Sequence, residues 1–178
     1  MGLPYPGGPH LEQLAAQCPD LAAAKARYPL AIPMQHSKEI AFSFSGLKTA
    51  VRNMIMGEEH TDATRAMLAA SLQAVLADTL AFRAGQAMAK FKQLYPQKQA
   101  PALIVCGGVS ANQSIRAALQ AAAQKNGFHL SAPPMEYCTD NGAMIAWAGV
   151  ELLQAGRIAP LTVKARPRWP LEELKEML

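Results

Sequence analysis

The stretch Ala102-Leu-Ile-Val-Cys-Gly-Gly-Val-Ser-Ala-Asn112 decides the fold. Its first five residues are continuously apolar, and apolar runs of this length are typical of parallel strands that are buried on both faces. The pair Gly107-Gly108 ends the strand, and a helix then begins at Ser110 or at Asn112 and closes at Asn126-Gly127. The order of strand, glycine turn and helix predicts the first part of a parallel unit.

A second strand and a second polar turn follow in the same order. Phe128–Ser131 has the length of a strand, and after Cys138-Thr-Asp-Asn141 a helix runs from Gly142 to about Gln154 and stops at Gly156. Strands that are joined through a helix are parallel. Parallel sheets bind ligands beyond the carboxyl ends of their strands. Both polar turns lie at such ends, so we expect them to face the same crevice.

The rest of the chain predicts helices around this unit. Six prolines in the first forty residues leave room for one or two short helices. Alternation predicts a short strand at Ile40–Phe44, and helical spacing of apolar residues predicts a helix from Leu47 to Met56. A long helix is expected from about Asp62 to Tyr95, with a bend at Gly85. The predicted fold class is therefore α/β and helix-rich, with a small parallel sheet flanked by helices.

Length and composition indicate one folded domain. The 178 residues are 51% hydrophobic and 17% charged, a composition that predicts a folded rather than a disordered chain. No uncharged apolar run reaches the length of a membrane span, and the first residues lack the order of a signal peptide, so we expect no membrane association. Three cysteines without a CxxC pair indicate a reducing compartment. The formal net charge is +4. The basic residues Lys164, Arg166 and Arg168 lie close together near the end of the sequence, where they are either solvated or in contact with phosphate.

Four places carry candidate chemistry, and each has a structural alternative. Gly107-Gly108 is either a tight packing turn or a turn that a ligand can approach closely, with an anion favoured at the following helix N-terminus. Asn112 is either the cap of that helix or a hydrogen-bonding contact for a ligand. Asp140 is either an N-cap or an oxygen ligand of a divalent metal. Gly7-Gly8, between two prolines, predicts a rigid turn.

The histidines do not complete a metal site. They show no pair at helical spacing and are found at His10, His36, His60 and His129. If Asp140 binds a metal, its co-ligands must therefore come from outside this chain. No nucleophile with a His-Asp partner set is present either, so we assign no catalytic residue.

Several segments together resemble the TsaD family, also known as the Gcp or YgjD family. They are Phe42-Ser-Phe-Ser-Gly-Leu-Lys-Thr49, Gly107-Gly-Val-Ser-Ala-Asn112 and Tyr137-Cys-Thr-Asp-Asn-Gly-Ala-Met-Ile-Ala146, with Tyr5-Pro-Gly-Gly-Pro9 and Pro167-Arg-Trp-Pro-Leu171 towards the two ends. The resemblance implies the actin-like ATPase fold, in which two lobes surround a nucleotide cleft. It also implies transfer of a threonylcarbamoyl group from threonylcarbamoyl-AMP to N6 of adenosine 37 of tRNA.

The resemblance implies roles for individual residues. Asp140 matches the aspartate that ligates a divalent metal, for which we expect iron, with zinc as the alternative. Asn112 and Gly8 match contacts to the adenylate substrate, and Gly107-Gly108 matches the turn beside its adenosine part. The implied substrates are tRNA and threonylcarbamoyl-AMP, the implied protein partners are TsaB and TsaE, and the implied location is the cytoplasm.

The resemblance also implies that half of the protein lies outside this sequence, since family members are about twice as long. We expect residues 1–178 to form a single C-terminal lobe, without the N-terminal lobe that carries a His-x-x-x-His metal pair. Such a fragment should be inactive alone and should not retain TsaB or TsaE. The alternative is a non-enzymatic module that binds a nucleotide or a partner. A metallopeptidase, the family's former description, is disfavoured because the sequence has no HExxH helix and no Ser-His-Asp set.

Overall fold

The computed structural model describes residues 1–57, 61–164, 166–168 and 170, so that His60, Trp169 and Leu171 lie outside the described residues. The chain divides into two compact units, Met1–Thr139 and Asp140–Leu178. Its helices and strands are α1 (Gly7–Ala15), α2 (Leu21–Arg27), α3 (Ser45–Gly57), α4 (Asp62–Leu94), β1 (Ala102–Ile104), α5 (Gln113–Lys125), β2 (His129–Ser131) and α6 (Gly142–Gln154). Short 3-10 turns lie at Gly108–Ala111 and Met135–Tyr137. The helix-rich α/β class is thereby confirmed.

The first unit is built around α4. Helices α1, α2 and α5 all pack against it, and Leu68, Val75 and Met88 are among its buried residues. Thr61 caps its start, because its hydroxyl accepts a hydrogen bond from the Thr64 N–H at 3.2 Å. The sequence prediction for this helix is confirmed. The helix continues through the expected bend without interruption.

Among the described residues, α4 is the one helix whose length and apolar composition would allow it to cross a membrane. Its buried face is covered by α1, α2 and α5. It also carries Arg83, which is only 1% exposed within the first unit. The apolar character of α4 is therefore accounted for by its place in the core.

The sheet is parallel, as predicted, but it is covered on one face only. β1 pairs with β2 in the register Ala102 with His129 and Ile104 with Ser131. The side chain of Leu103 packs towards α4 and α5, whereas Ile104 on the opposite face is 73% exposed. The expectation that this strand is buried on both faces is wrong for the described part of the first unit, because both covering helices lie on the same side.

The strand predicted at Ile40–Phe44 is also wrong. These residues have no regular structure before α3 begins, although the two phenylalanines in the stretch stack with ring centroids 6.0 Å apart. The preceding loop is held by Arg83, whose guanidinium donates to the carbonyls of Ser37 at 3.2 Å and Glu39 at 2.9 Å. A strand needs a hydrogen-bonded neighbour, and the described residues provide none here.

The predicted turn at Gly7-Gly8 is wrong as well, since these are the first two residues of α1. Glycine and proline are both tolerated in the first turn of a helix. The helix is then stabilised by tertiary packing, because Ala15 is buried with Ala69 and Ala70 of α4. The short helices predicted for the proline-rich start are confirmed as α1 and α2.

Candidate functional site

The Gly107-Gly108 turn leaves open space above its backbone. Gly107 has φ +84°, a conformation that side chains disfavour, and Gly108 begins the 3-10 turn that ends at Ala111. A Cβ atom added at either glycine would meet no described atom within 4 Å. Packing within the described chain therefore does not require either residue to lack a side chain. The turn is suited to a ligand that approaches the backbone closely.

The two polar turns meet in the first unit. Ser110 is 1% exposed, and its hydroxyl donates to the carbonyl of Gly107 at 2.7 Å and lies 3.3 Å from the Cys138 sulfur. The Arg116 guanidinium donates to the carbonyls of Ser110 at 3.0 Å and of Pro133 at 3.3 Å. This geometry confirms, as far as Cys138, that the two turns lie together at the carboxyl ends of the strands.

The contacts that fix these turns were not predicted from the sequence. Arg116 lies on α5 and reaches both turns, and Ser110 is a buried link rather than the start of a helix. A single cation soon after a glycine turn is a weak signal in a sequence. It becomes informative only when the second turn is known to be close.

The N-terminus of α5 is already occupied by side chains of the chain itself. Asn112 caps the helix, since its Oδ1 accepts from the Ile115 N–H at 2.9 Å. Glu12 on α1 places Oε1 2.8 Å from the Gln113 nitrogen, which donates to it. The expectation of a free anion site at this helix end is therefore wrong, because a carboxylate already lies at the positive end of the helix dipole.

Asn112 also joins α5 to α4. Its Nδ2 donates to Oε1 of Gln73 at 3.0 Å, and Nε2 of Gln73 donates to the Ser114 hydroxyl at 2.9 Å. The capping alternative from the sequence is thereby confirmed. Contact between Asn112 and a substrate stays a prediction, for which the amide retains one further N–H and one lone pair.

Gly8 lies one helical turn before Glu12 on α1. A Cβ atom at Gly8 would meet no described atom within 4 Å. Glu12 is the residue that links this helix to the start of α5. The structure thus brings the helix of Gly8 to the Asn112 cap, and a substrate contact of Gly8 stays a prediction.

A cleft of about 620 Å³ lies beside this cap, between α1, α4 and the start of α5. Its polar lining comes from Glu12, Gln73, Gln113 and Ser114 among others. None of the residues predicted for substrate contact lines the cleft, although Gly8 and Asn112 each directly precede a lining residue. The cleft offers amides and one carboxylate, which hydrogen-bond neutral polar groups and repel anions.

Asp140 belongs to the second unit, and its side chain is exposed. Asn141, one residue later, is the N-cap of α6, because its Oδ1 accepts from the Met144 N–H at 3.1 Å. The capping alternative for Asp140 is therefore wrong by one position. Within the described ranges, no group of three His, Cys, Asp or Glu side chains could hold a metal ion. Asp140 alone does not make a metal site.

The fold and the paired turns define the class: a helix-rich α/β lobe with an open glycine turn at the carboxyl end of a parallel strand. The profile of the family described as TsaD, tRNA N6-adenosine threonylcarbamoyltransferase, matches residues 1–147. The chain belongs to the TsaD family.

Relatives with the name tRNA N6-adenosine threonylcarbamoyltransferase resemble nearly the whole chain. The relative from Bartonella tribocorum is 46% identical over 97% of this chain and 48% of its own length. The relative from Brucella anthropi is 44% identical over 97% of this chain and 47% of its own length. The chain thus spans about half the length of the curated relatives it matches. By that name, full-length family members are transferases that act on tRNA.

Proposed function

We propose that this chain is the C-terminal part of an enzyme that transfers the threonylcarbamoyl group from threonylcarbamoyl-AMP to N6 of adenosine 37 of tRNA. The observation that carries the proposal is the identity of 44–46% to transferases of this name, which extends over 97% of the chain. The open Gly107-Gly108 turn supports it, because an adenylate needs a place where its sugar and base can approach the backbone. The protein would act in the cytoplasm, and this chain would form one part of an actin-like ATPase fold.

The first unit would hold the adenosine part of the substrate. Gly107 and Gly108 would lie against it, and the spare hydrogen-bonding capacity of Asn112 would contact its sugar or base. Gly8 would contact the same adenylate from the start of α1. Arg116 and Ser110 would act as positioning residues, since they hold the turn against the Cys138 segment. The role of this chain is to orient the adenylate for attack by the tRNA amine.

A metal does not fit the described residues by themselves, and we derive no step through one. Asp140 offers a carboxylate, a suitable ligand for a divalent ion such as iron or zinc. The described residues group no further His, Cys, Asp or Glu side chains into a site. We propose that Asp140 contributes one ligand and that the remaining ligands come from residues outside the described ones.

Gly108→Ala tests adenylate binding at the Gly107-Gly108 turn without disturbing the fold. The added methyl group meets no described atom, so stability should be unchanged, but it fills the space that the substrate would use. Calorimetry with AMP should show weak, saturable binding to residues 1–178 and a loss of about tenfold or more in the variant, equivalent to at least ~1.4 kcal/mol. Gly149→Ala on α6, which also meets no described atom within 4 Å, is the matched control.

Three outcomes would contradict the proposal. Equal AMP binding by wild type and Gly108→Ala, or no AMP binding by wild type, would show that the Gly107-Gly108 turn does not bind the adenylate. Modification of tRNA by residues 1–178 alone, with threonylcarbamoyl-AMP supplied, would contradict the proposal that the chain holds only part of the active site. TsaB and TsaE would not be retained by this chain, which a binding assay with each purified protein checks.

The alternative function is a non-enzymatic nucleotide-binding module. It is favoured for the isolated chain by the lack of a grouped set of metal-ligating side chains among the described residues. Addition of the other half of a full-length relative discriminates between the two. Recovery of tRNA modification supports the enzyme, whereas nucleotide binding without recovery supports the module.

A further inference from the structure

Carboxylates are missing from a long segment of the first unit. None of the 13 Asp and Glu residues lies between Asp78 and Glu136, although Arg83, Lys90, Lys92, Lys98, Arg116 and Lys125 do. Arg83 is buried, and Arg116 bonds the polar turns, so both guanidinium groups already donate hydrogen bonds to the chain itself. The four lysines are exposed, and no ion pair of theirs occurs among the described residues.

Three of these lysines lie at one end of the fold because α4 and α5 are parallel neighbours. Gln73, about a third of the way along α4, bonds Ser114 at the start of α5, and Met88 packs with Ala123 nearer the ends of both helices. The two C-termini therefore lie side by side, with Lys92 in the last turn of α4 and Lys125 in the last turn of α5.

A row of aromatic rings leads from Lys92 to Tyr95. The Lys92 ammonium lies 6.0 Å from the centre of the Phe128 ring, and Phe91 is 5.7 Å from Phe128 and 4.9 Å from Tyr95. The N–H of Lys98 donates to the Tyr95 carbonyl at 3.1 Å, which fixes the loop that follows α4. Tyr95 is 58% exposed.

We propose that an exposed surface at the ends of α4 and α5, the helix-end surface, binds RNA. Its lysines, Lys92, Lys98 and Lys125, would contact the phosphate backbone, and Tyr95 would stack on a base. The identification of that RNA as tRNA rests on the proposed function. Exposed cations without neighbouring carboxylates attract a polyanion, and an exposed aromatic ring offers a stacking platform for a base.

The helix dipole does not by itself account for this surface. Lysines in the last turn of a helix are stabilised by the dipole, which explains Lys92 and Lys125. It does not explain Lys98 beyond the helix, the exposure of Tyr95 or the lack of carboxylates over the whole segment. An acidic protein would also be attracted by these cations. The exposed Tyr95 ring is what favours RNA, because a base can stack on it.

The test uses residues 1–178 and a fluorescently labelled tRNA transcript, with binding measured by polarisation over about 50–200 mM salt. Changing Lys92, Lys98 and Lys125 together to Gln should weaken binding about tenfold or more at low salt. The same change should reduce the slope of log affinity against log salt by about 2–3. Changing Lys38, Lys48 and Arg52 to Gln removes the same charge from exposed positions elsewhere and should leave the slope close to that of wild type.

Tyr95→Ser separates stacking from charge. It should weaken tRNA binding severalfold while the salt slope stays the same, because no charge is removed. Circular dichroism should show unchanged helix content in every variant.

Three results would overturn the proposal: no tRNA binding by wild type, equal losses in the two triple variants, or competition by polyglutamate as effective as that by unlabelled tRNA. The last would assign the surface to acidic proteins. The AMP experiment on Gly108→Ala contains no RNA, so either proposal can fail while the other stands.

Discussion

Helices α5 and α6 share the same local design. Each has 13 residues. An asparagine caps each one, Asn112 with a 2.9 Å and Asn141 with a 3.1 Å hydrogen bond to the N–H three residues later. Each is followed by a glycine with positive φ, Gly127 at +70° and Gly156 at +69°. The N–H of that glycine and the N–H of the residue after it both donate to carbonyls of the last turn.

The two helices differ in what covers them. α5 carries three glutamines and two cations, yet it buries Ile115, Leu119 and Ala123. α6 has Glu151 as its only charged residue, yet none of its residues is buried. The comparison shows that local sequence determines where a helix begins and ends, whereas a neighbouring surface determines whether its apolar side chains are buried. A helix that is apolar on all sides is normally covered.

The largest expected effect comes from removing a leucine from each helix. Leu119→Ala should lower the free energy of unfolding by about 2–4 kcal/mol, because Leu119 is 5% exposed and packs with Ala77 and Ile115. Leu153→Ala on α6 removes the same atoms from a side chain that is 61% exposed and should cost less than about 0.5 kcal/mol. Urea denaturation followed by circular dichroism measures both. Equal losses would break the comparison, since they would mean that α6 is as well covered as α5.

The next effect comes from the caps. Asn112→Ala should cost about 1–2 kcal/mol and Asn141→Ala about 1 kcal/mol, because each loses a capping bond and Asn112 also loses its bond to Gln73. Since Trp147 lies on α6, its fluorescence in a Trp169→Phe background follows α6, while circular dichroism follows the whole chain. In Gln73→Ala, the cost of Asn112→Ala should fall towards that of Asn141→Ala. An undiminished cost would show that the contact between α4 and α5 does not contribute.

The helix ends illustrate how much the sequence could predict. The stops at Asn126-Gly127 and Gly156 follow from residues next to them, and both predictions are confirmed. The cap of α6 was missed by a single position, since Asp140 and Asn141 are both good caps and only the first helical turn distinguishes them.

The errors concern contacts between distant parts of the chain. The one-sided cover of Ile104 depends on where α4 and α5 pack, and the lost strand at Ile40–Phe44 depends on a missing neighbour and on Arg83. For the candidate site, the glycine turn and the approach of the second turn were predictable from the order of elements. Glu12 was not, because it meets Gln113 across 101 residues.

The smallest expected effect concerns that carboxylate. Glu12→Gln keeps an oxygen that can accept from the Gln113 N–H but removes the negative charge from the N-terminus of α5. Stability should fall by about 0.3–1 kcal/mol, the usual contribution of a charge at a helix end. Thermal unfolding of the variant and of Glu39→Gln, which removes an exposed carboxylate elsewhere, provides the measurement and its control.

Inorganic phosphate shows whether Glu12 is what closes this helix end to anions. If the carboxylate repels them, phosphate should raise the melting temperature of Glu12→Gln more than that of wild type or of Glu39→Gln, because the variant lacks the negative charge beside the positive end of α5. The anion site that the glycine turn and helix predict would then exist in the backbone and be blocked by one side chain. The same response in all three proteins would mean that the Asn112 cap alone closes the site, and α5 would then resemble α6 in this respect as well.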